Sequence, residues 1–386
     1  MPRSNLFGRR IHISGTIARS LDSAPVAEVE RARTFVAALV KELVKRGANF
    51  VVPVDAEPSR EDGLPICFDW LIWETIFDSL ASRPVGVTGH LAVAVQHHKT
   101  EKQIPEQFRP LWQKLRGSEH IRIDNASFWN MASKRLEAQA HWGDILLPIG
   151  GDEGVLFLTN LYHEAGKPIV PIGLPITTES TGARKVFSFG LARNTTQRLF
   201  RTTTRDPHSW LNRINFTDFT NVTEMVESTL DLLEDLERPR AFAVRLLNST
   251  HEHYAAVEDF FAGVVKPVFE DELGFRLVVV DGKQAVEQSR IDADIFAKLH
   301  RSQVVVADMT GSRPNCLIEL GYALGRPLPT IVTAKDGSEL PFDIKTFSGL
   351  LWKSSATIDE RRRELLDHWK SVENRPPLVD NGPLIQ

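Results

Sequence analysis

The chain has 386 residues, 42% of them hydrophobic and 25% charged, with a formal net charge of −4. It is too long for one ordinary core, so two domains or three are expected, and its acidic balance argues against a general nucleic-acid binder. Only two cysteines are present, Cys67 and Cys316, which excludes a disulfide framework and a structural zinc site and suits a reducing compartment.

Taken in chain order, residues 10–16 (RIHISGT) read as a short strand ending in Gly-Thr. Residues 26–46 carry Val26, Val29, Phe35, Leu39, Leu43 and Val44 on one helical face, and Gly47 stops them. A β-rich run at 49–54 and a helix at 66–80 follow, whereas 83–118 shows no clear pattern. Then come a strand at 120–123, a helix at 128–141, a strand at 144–149, a Gly-Gly turn, a helix at 155–165 and a strand at 168–172. Residues 176–222 are polar and without period, and a helix at 222–236 precedes Glu237-Arg238-Pro239-Arg240. A second series follows: strand 241–247, helix 254–273 with a kink expected at Pro267, strand 275–280, helix 291–300, strand 304–308, helix 315–324, strand 330–333 and helix 358–372.

Val- and Ile-rich strands alternating with helices predict an α/β protein with two doubly wound, mainly parallel sheets. Charge and proline interrupt the pattern near 238, so the domains are drawn at 1–238 and 239–386.

Two glycine turns follow strands in the first domain. Gly150, Gly151 and Gly154 lie between a strand and a helix, and Ser14-Gly15-Thr16 closes the first strand. In an open parallel sheet both turns fall on the ligand rim, where glycines let backbone amides approach a phosphate at a helix N-terminus. Gly15, Thr16, Arg19, Gly150, Gly151, Glu153 and Gly154 are therefore the candidate ligand-binding residues. Each has a plainer reading: a tight turn for the glycines, a solvated arginine for Arg19, a helix-end preference for Glu153. Lys134 and Arg135 read equally as surface charges.

The stretches RIHISGTIARS, KRGANFVVPV and GDILLPIGGDEGVLFLTNLYHEAGKPIVPIG resemble the SLOG superfamily over roughly residues 9–200. The closest flavour is the nucleotide-sensing SLOG domain of bacterial antiphage systems. The enzymatic members share a Gly-Gly-x-Gly-Thr-x-x-Glu turn. Here Val155 takes the threonine's place and Leu158 the glutamate's. The resemblance therefore implies a Rossmann-like nucleotide-binding domain and favours a sensor over a phosphoribohydrolase.

In the second domain, VVVADMTGSRPNCLIELGYALGRP reads as strand, turn and helix. Asp308 ends the strand at the ligand rim, Asn315 suits a helix N-cap, and Glu319 falls in the second helical turn among Leu317, Ile318, Leu320 and Tyr322. The plainer reading is a solvent-exposed or salt-bridged helix glutamate, but a carboxylate in so apolar a setting is expected to look into the crevice beside Asp308. Such a group suits cleavage of an N-glycosidic bond, where it offsets the positive charge at the anomeric carbon or attacks it. His97-His98 and His251-x-His253 lack a third ligand, so no metal is expected. Cys316 reads as a packed small hydrophobe.

The same stretch, with ELPFDIKTF after it, resembles the nucleoside 2-deoxyribosyltransferase-like group over about 240–350, a flavodoxin-like plan similar to TIR domains. The resemblance implies that Glu319 is catalytic, that Asp308 and Asn315 are site residues, and that Asp343 contacts substrate. The transferases' Asp-x-Gly-Thr run is replaced by Arg313-Pro314-Asn315-Cys316, which favours a hydrolase acting on NAD or another nucleotide over base exchange.

Together these readings predict a ligand-gated antiphage effector. A SLOG-like domain would bind a nucleotide signal, an ADP-ribose derivative being one candidate, and a TIR-like domain would cleave an N-glycosidic bond. The alternatives are a nucleotide-salvage phosphoribohydrolase with a regulatory second domain, and a non-catalytic nucleotide-binding protein. No cofactor is expected, NAD being a candidate substrate. The partners implied are small nucleotides and further copies of the chain. The N-terminal stretch lacks a signal peptide's apolar core and no apolar run nears the roughly 20 residues of a membrane span, so a cytoplasmic location is expected.

Overall fold

The computed structural model describes residues 4–87, 89–96, 101–125, 132–178, 180–216, 220–280, 291–311, 314–326, 328–338, 349–373 and 375. The chain forms two compact units, the first running to Glu237 and the second beginning at Arg238.

In the first unit the elements are β1 (Arg10–Ser14), α1 (Val26–Lys45), β2 (Asn49–Pro53), α2 (Asp69–Ser79), β3 (Ala92–Gln96), α3 (Arg109–Arg116), β4 (Ile121–Asn125), α4 (Ala132–Trp142), β5 (Ile145–Pro148), α5 (Glu153–Glu164), α6 (Gly182–Gly190), α7 (Arg193–Leu199), α8 (Pro207–Arg213) and α9 (Val222–Asp235). The sheet order is β4-β3-β2-β1-β5, and every pairing is parallel. Helix α1 buries Val29, Ala32, Phe35, Val36, Leu39, Val40, Leu43 and Val44, the 3–4 spacing of a single face. The segment 168–172 runs parallel to β5: Leu146 donates to the Pro168 carbonyl at 3.0 Å, Val170 to that of Leu146 at 2.8 Å and Ile172 to that of Pro148 at 3.0 Å. The bridges Leu146 to Ile169 and Ile149 to Ile172 stand where a strand was expected, without forming a continuous one. The region without clear period conceals β3, whose five residues are all buried, because a strand covered on both faces shows no alternation. The polar stretch 176–222 contains α6, α7 and α8, each too short for a periodic signal.

In the second unit the elements are β6 (Arg240–Val244), α10 (Tyr254–Phe260), β7 (Arg276–Val279), α11 (Ile291–His300), β8 (Val304–Asp308), α12 (Pro314–Leu324), β9 (Thr330–Lys335), β10 (Leu350–Trp352) and α13 (Ile358–Val372). The order β10-β9-β8-β6-β7 is again wholly parallel. Thus the protein is α/β with two doubly wound sheets. Helix α10 does not break at Pro267. It runs on as two π-type stretches, Phe261–Val265 and Val268–Glu272, and Pro267 itself keeps helical angles of φ −60° and ψ −42°. A Thr357–Glu360 capping box starts α13.

Both sheets reverse direction of winding once. The first does so between β1 and β5, the second between β6 and β8. At such a switch point the loops leave in opposite directions and open a crevice beyond the strand ends.

Candidate functional sites

In the first unit the two glycine turns meet at the switch point. Ile149 donates its N–H to the Ser14 carbonyl at 2.9 Å, and Gly151 donates to the Thr16 carbonyl at 2.7 Å. Gly15 has φ +153°, and a Cβ there would lie 1.9 Å from the Ile149 oxygen. Gly151 has φ +84°, and its Cβ would lie 2.3 Å from Val155 Cγ2. Only glycine fits either place. The structure corrects the role expected for the turn's amides. The Gly151 N–H is taken by Thr16, and the Gly154 N–H is taken by the Asp152 side chain at 3.1 Å as the α5 cap. Gly150 is held by α6, where Ala183 donates to its carbonyl at 2.7 Å. These glycines bring two loops into contact more than they present amides to an anion. Thr16 and Gly15 are half-buried, while Arg19 and Glu153 are exposed at the rim. Leu158 is wholly buried, so no carboxylate stands where the enzymatic turn would place one.

A wall beside these turns carries residues that the sequence did not single out. The segment after β2 folds back along the end of β1: Thr16 bridges Cys67, and Ile17 donates to the Ile66 carbonyl at 2.8 Å. Asp55, just beyond β2, pairs with Arg135 of α4. Arg135 is thus a partner inside this site and not a plain surface charge, whereas Lys134 pairs with Glu137 in solvent. Burial, reinforced by Asp55 and Glu57 and opposed by Arg135, pushes the Asp69 carboxyl up to about 7. Burial also raises Glu57, with Arg33 opposing and Glu74 adding. The Cys67 thiol is pushed far up by burial and then by Asp69, Glu57 and Asp55, so it is no nucleophile.

In the second unit Asp308 ends β8, fully buried. Its Oδ2 accepts from Thr333 Oγ1 and Trp352 Nε1, each at 2.8 Å, and its Oδ1 accepts from the Thr310 N–H at 3.1 Å. Burial raises its pKa despite these donors. This corrects the crevice-facing role expected for Asp308. Its carboxylate is spent in tying β8, β9 and β10 together beneath the rim, and Trp352 in turn stacks on Phe260 at 4.5 Å. Asn315 is exposed inside α12, which begins at Pro314, so it does not occupy the cap expected of it. Glu319 is half-buried, makes no hydrogen bond among the described residues, and has its pKa raised by burial. Its neighbour Ile318 is 59% exposed, so the surrounding helix is apolar on its open face too. Asp343 lies outside the described residues.

The loop after β6 closes onto the turn after β8. The His251 ring packs over Gly311, where an added Cβ would meet His251 Cε1 at 2.6 Å, and His251 Nδ1 accepts the His253 N–H at 3.2 Å. Read as a loop residue in the sequence, His251 sits at the second switch point. Among the described residues no group of three metal-ligating side chains converges, and no helix is long and apolar enough to cross a membrane.

Fold and rims define a two-unit doubly wound α/β protein with one crevice at each switch point. Residues 6–233, the first unit almost entire, match the family described as ATP nucleosidase Cap17-like, N-terminal, and the chain belongs to that family. It is similar to the ATP nucleosidase Cap17 of Escherichia coli strain KTE188, 23% identical over 178 residues, or 45% of this chain and 34% of that protein. A second Escherichia coli ATP nucleosidase Cap17 matches to the same extent. The chain spans about a third of the length of these relatives. Among solved structures, that of a conserved protein from Enterococcus faecalis V583 matches at 13% identity and a TM-score of 0.24, covering 34% of this chain and 99% of the other.

Proposed function

We propose that the chain is a nucleotide N-glycosidase in which a nucleotide bound in the first crevice controls cleavage in the second. The observation that carries the reading is Glu319, a half-buried carboxylate without a hydrogen-bonding partner among the described residues, on the helix that follows a central strand at a switch point. Burial raises the energy of this group when charged. A substrate developing positive charge at its anomeric carbon would satisfy it. In the cleavage, water adds to that carbon, the carbon–nitrogen bond breaks, and the base leaves carrying a proton. The raised pKa leaves Glu319 able to hold a proton nearer neutrality than a free glutamate does.

Family membership supports a nucleosidase, and the relatives' name makes ATP a candidate substrate beside NAD. The antiphage role, the homo-oligomer and the identities of sensor and effector belong to this proposal, resting on the sequence resemblances. A second reading puts cleavage in the first unit, favoured by the family match falling on residues 6–233. The test is incubation of the full chain and of Glu319→Gln with ATP and with NAD, followed by chromatography for free adenine and nicotinamide. Loss of base release in the variant supports the second unit as the seat of cleavage, and undiminished release moves the chemistry to the first.

A further inference from the structure

The wall formed by residues 55–69 is built with more carboxylate than the fold can use. Asp55, Glu57, Asp69 and Glu74 interact there with Arg33 and Arg135, and Arg19 acts on Cys67 of the same wall. Asp55 is spoken for by Arg135 and by the Ala56 N–H at 2.8 Å. Half-buried Asp69 has no hydrogen-bonding partner among the described residues, and Glu57 Oε1 is buried without one. The segment is nonetheless held firmly. The wholly buried Arg60 side chain donates to the Ala24 carbonyl at 2.8 Å and pairs with Asp62 at 2.9 Å, and Arg33 donates to the Cys67 carbonyl at 3.1 Å. A rigid segment that keeps unsatisfied acceptors is arranged for a donor the fold does not supply.

The other side of the β1 turn repeats the pattern. Ala18 donates to the Ile176 carbonyl at 2.9 Å, which places Thr177 against Gly150, 3.2 Å from where a Cβ would stand. Thr177 is 5% exposed, and its Oγ1 has no partner. The β1 turn is therefore flanked by the unpartnered Glu57 Oε1 and its acidic neighbours on one side and by Thr177, with its unpartnered buried hydroxyl, on the other.

Charge decides what the acidic wall takes. Phosphates are repelled by it, and no three of its side chains converge to hold a metal. Of the groups a nucleotide carries beside its base, the sugar hydroxyls suit such a wall, and a vicinal diol offers two donors to neighbouring carboxyl oxygens. We propose that residues 55–69 form the ribose wall of the first crevice, with Asp69 and Glu57 accepting from the 2′- and 3′-hydroxyls of a ribonucleotide. The phosphates then point away from the acidic wall, toward the Thr177 side. The inference rests on the first crevice binding a nucleotide, and it is independent of where cleavage takes place.

The test is titration calorimetry on the full chain carrying Glu319→Gln, with ATP, 2′-deoxyATP, 3′-deoxyATP and inorganic tripolyphosphate as probes. A site built to bind hydroxyls should prefer ATP over either deoxy analogue by about 10-fold or more. Adding Asp69→Ala, or separately Glu57→Ala, should shrink that preference to within about 3-fold, with tripolyphosphate binding unchanged. Thermal melts identify folded variants, and the isosteric Asp69→Asn and Glu57→Gln serve where an alanine variant does not fold. Equal binding of ATP and its deoxy analogues overturns the inference, as does a full preference retained in folded variants at both positions. Absence of ATP binding alongside Glu319-dependent base release overturns it too, and leaves the glycosidase reading of the second unit standing.

Discussion

Gly151 donates its N–H to the carbonyl of Thr16 at 2.7 Å, and so the turn that ends β5 is fastened to the turn that ends β1. The crevice of the first unit exists because these loops, far apart in sequence, close on each other without side chains between them. Gly15→Ala would drive a methyl group into the Ile149 carbonyl. We expect a loss of about 3 kcal/mol or more, read as a shifted denaturant midpoint, because backbone has no room to yield on either side. Stability within about 0.5 kcal/mol of the parent would show that the contact is looser than drawn.

Gly151→Val adds branching where one carbon already meets Val155. The variant should bind nucleotide far more weakly, since α5 must shift before the turn can close. Calorimetry on a folded variant with unaltered affinity would leave the turn a purely structural role.

Glu319→Gln preserves shape and removes charge. Base release should fall by at least ~10²-fold, the scale of one lost electrostatic contribution in a desolvated site. The melting temperature should hold or rise, because burial disfavours the parent carboxylate and no described residue hydrogen-bonds to it. Turnover near the parental rate excludes Glu319 from the chemistry.

Asp308→Ala should act in the opposite way, on stability first. It strands the Trp352 and Thr333 donors in a dry interior, each costing about 1–3 kcal/mol. Unfolding of the second unit should move to markedly lower denaturant, and Asp308→Asn should recover part of the loss. A small effect on stability with a large one on turnover would return Asp308 to the reacting centre.

Asp69 supplies a pH signature. Its folded carboxyl titrates near 7, against about 3.9 for a free aspartate. The folded chain therefore keeps a proton that the unfolded chain sheds, and this contribution to stability, full below about pH 4, is lost as pH rises toward 7. Asp69→Asn should melt higher than the parent at about pH 8 and alike at about pH 4. Identical melting at both values would mean that the charge costs the fold nothing.

The strand and the helix that carry Asp308 and Glu319 could be read from the chain because β8 and α12 lie close together in sequence and each has a clear apolar pattern. The fate of Asp308 could not. Its partners Thr333 and Trp352 lie 25 and 44 residues away, and strand β10, which carries Trp352, has only three residues. Asn315 looked like a cap because Asn favours that place, but Pro314 suits the first helical turn and starts the helix earlier. The acidic wall was hidden for a related reason. Asp55, Glu57, Cys67 and Asp69 show no spacing of their own, and acquire meaning only when 66–67 folds back along 16–17. Arg135 looked like one more helix charge until Asp55 was placed beside it.

The place of β1 between β2 and β5 also bears on how the chain is made. Its second hydrogen-bonding edge is not covered until Ile145–Pro148 arrive, well over a hundred residues after Ser14. At roughly 5–20 residues per second of synthesis, a central strand that carries Ile11 and Ile13 waits on the order of ten seconds with one side unpaired. During that interval the emerging chain exposes an adhesive edge to its neighbours. Slow translation or truncation upstream of residue 145 should therefore yield aggregated product, while pauses after α5 should be harmless.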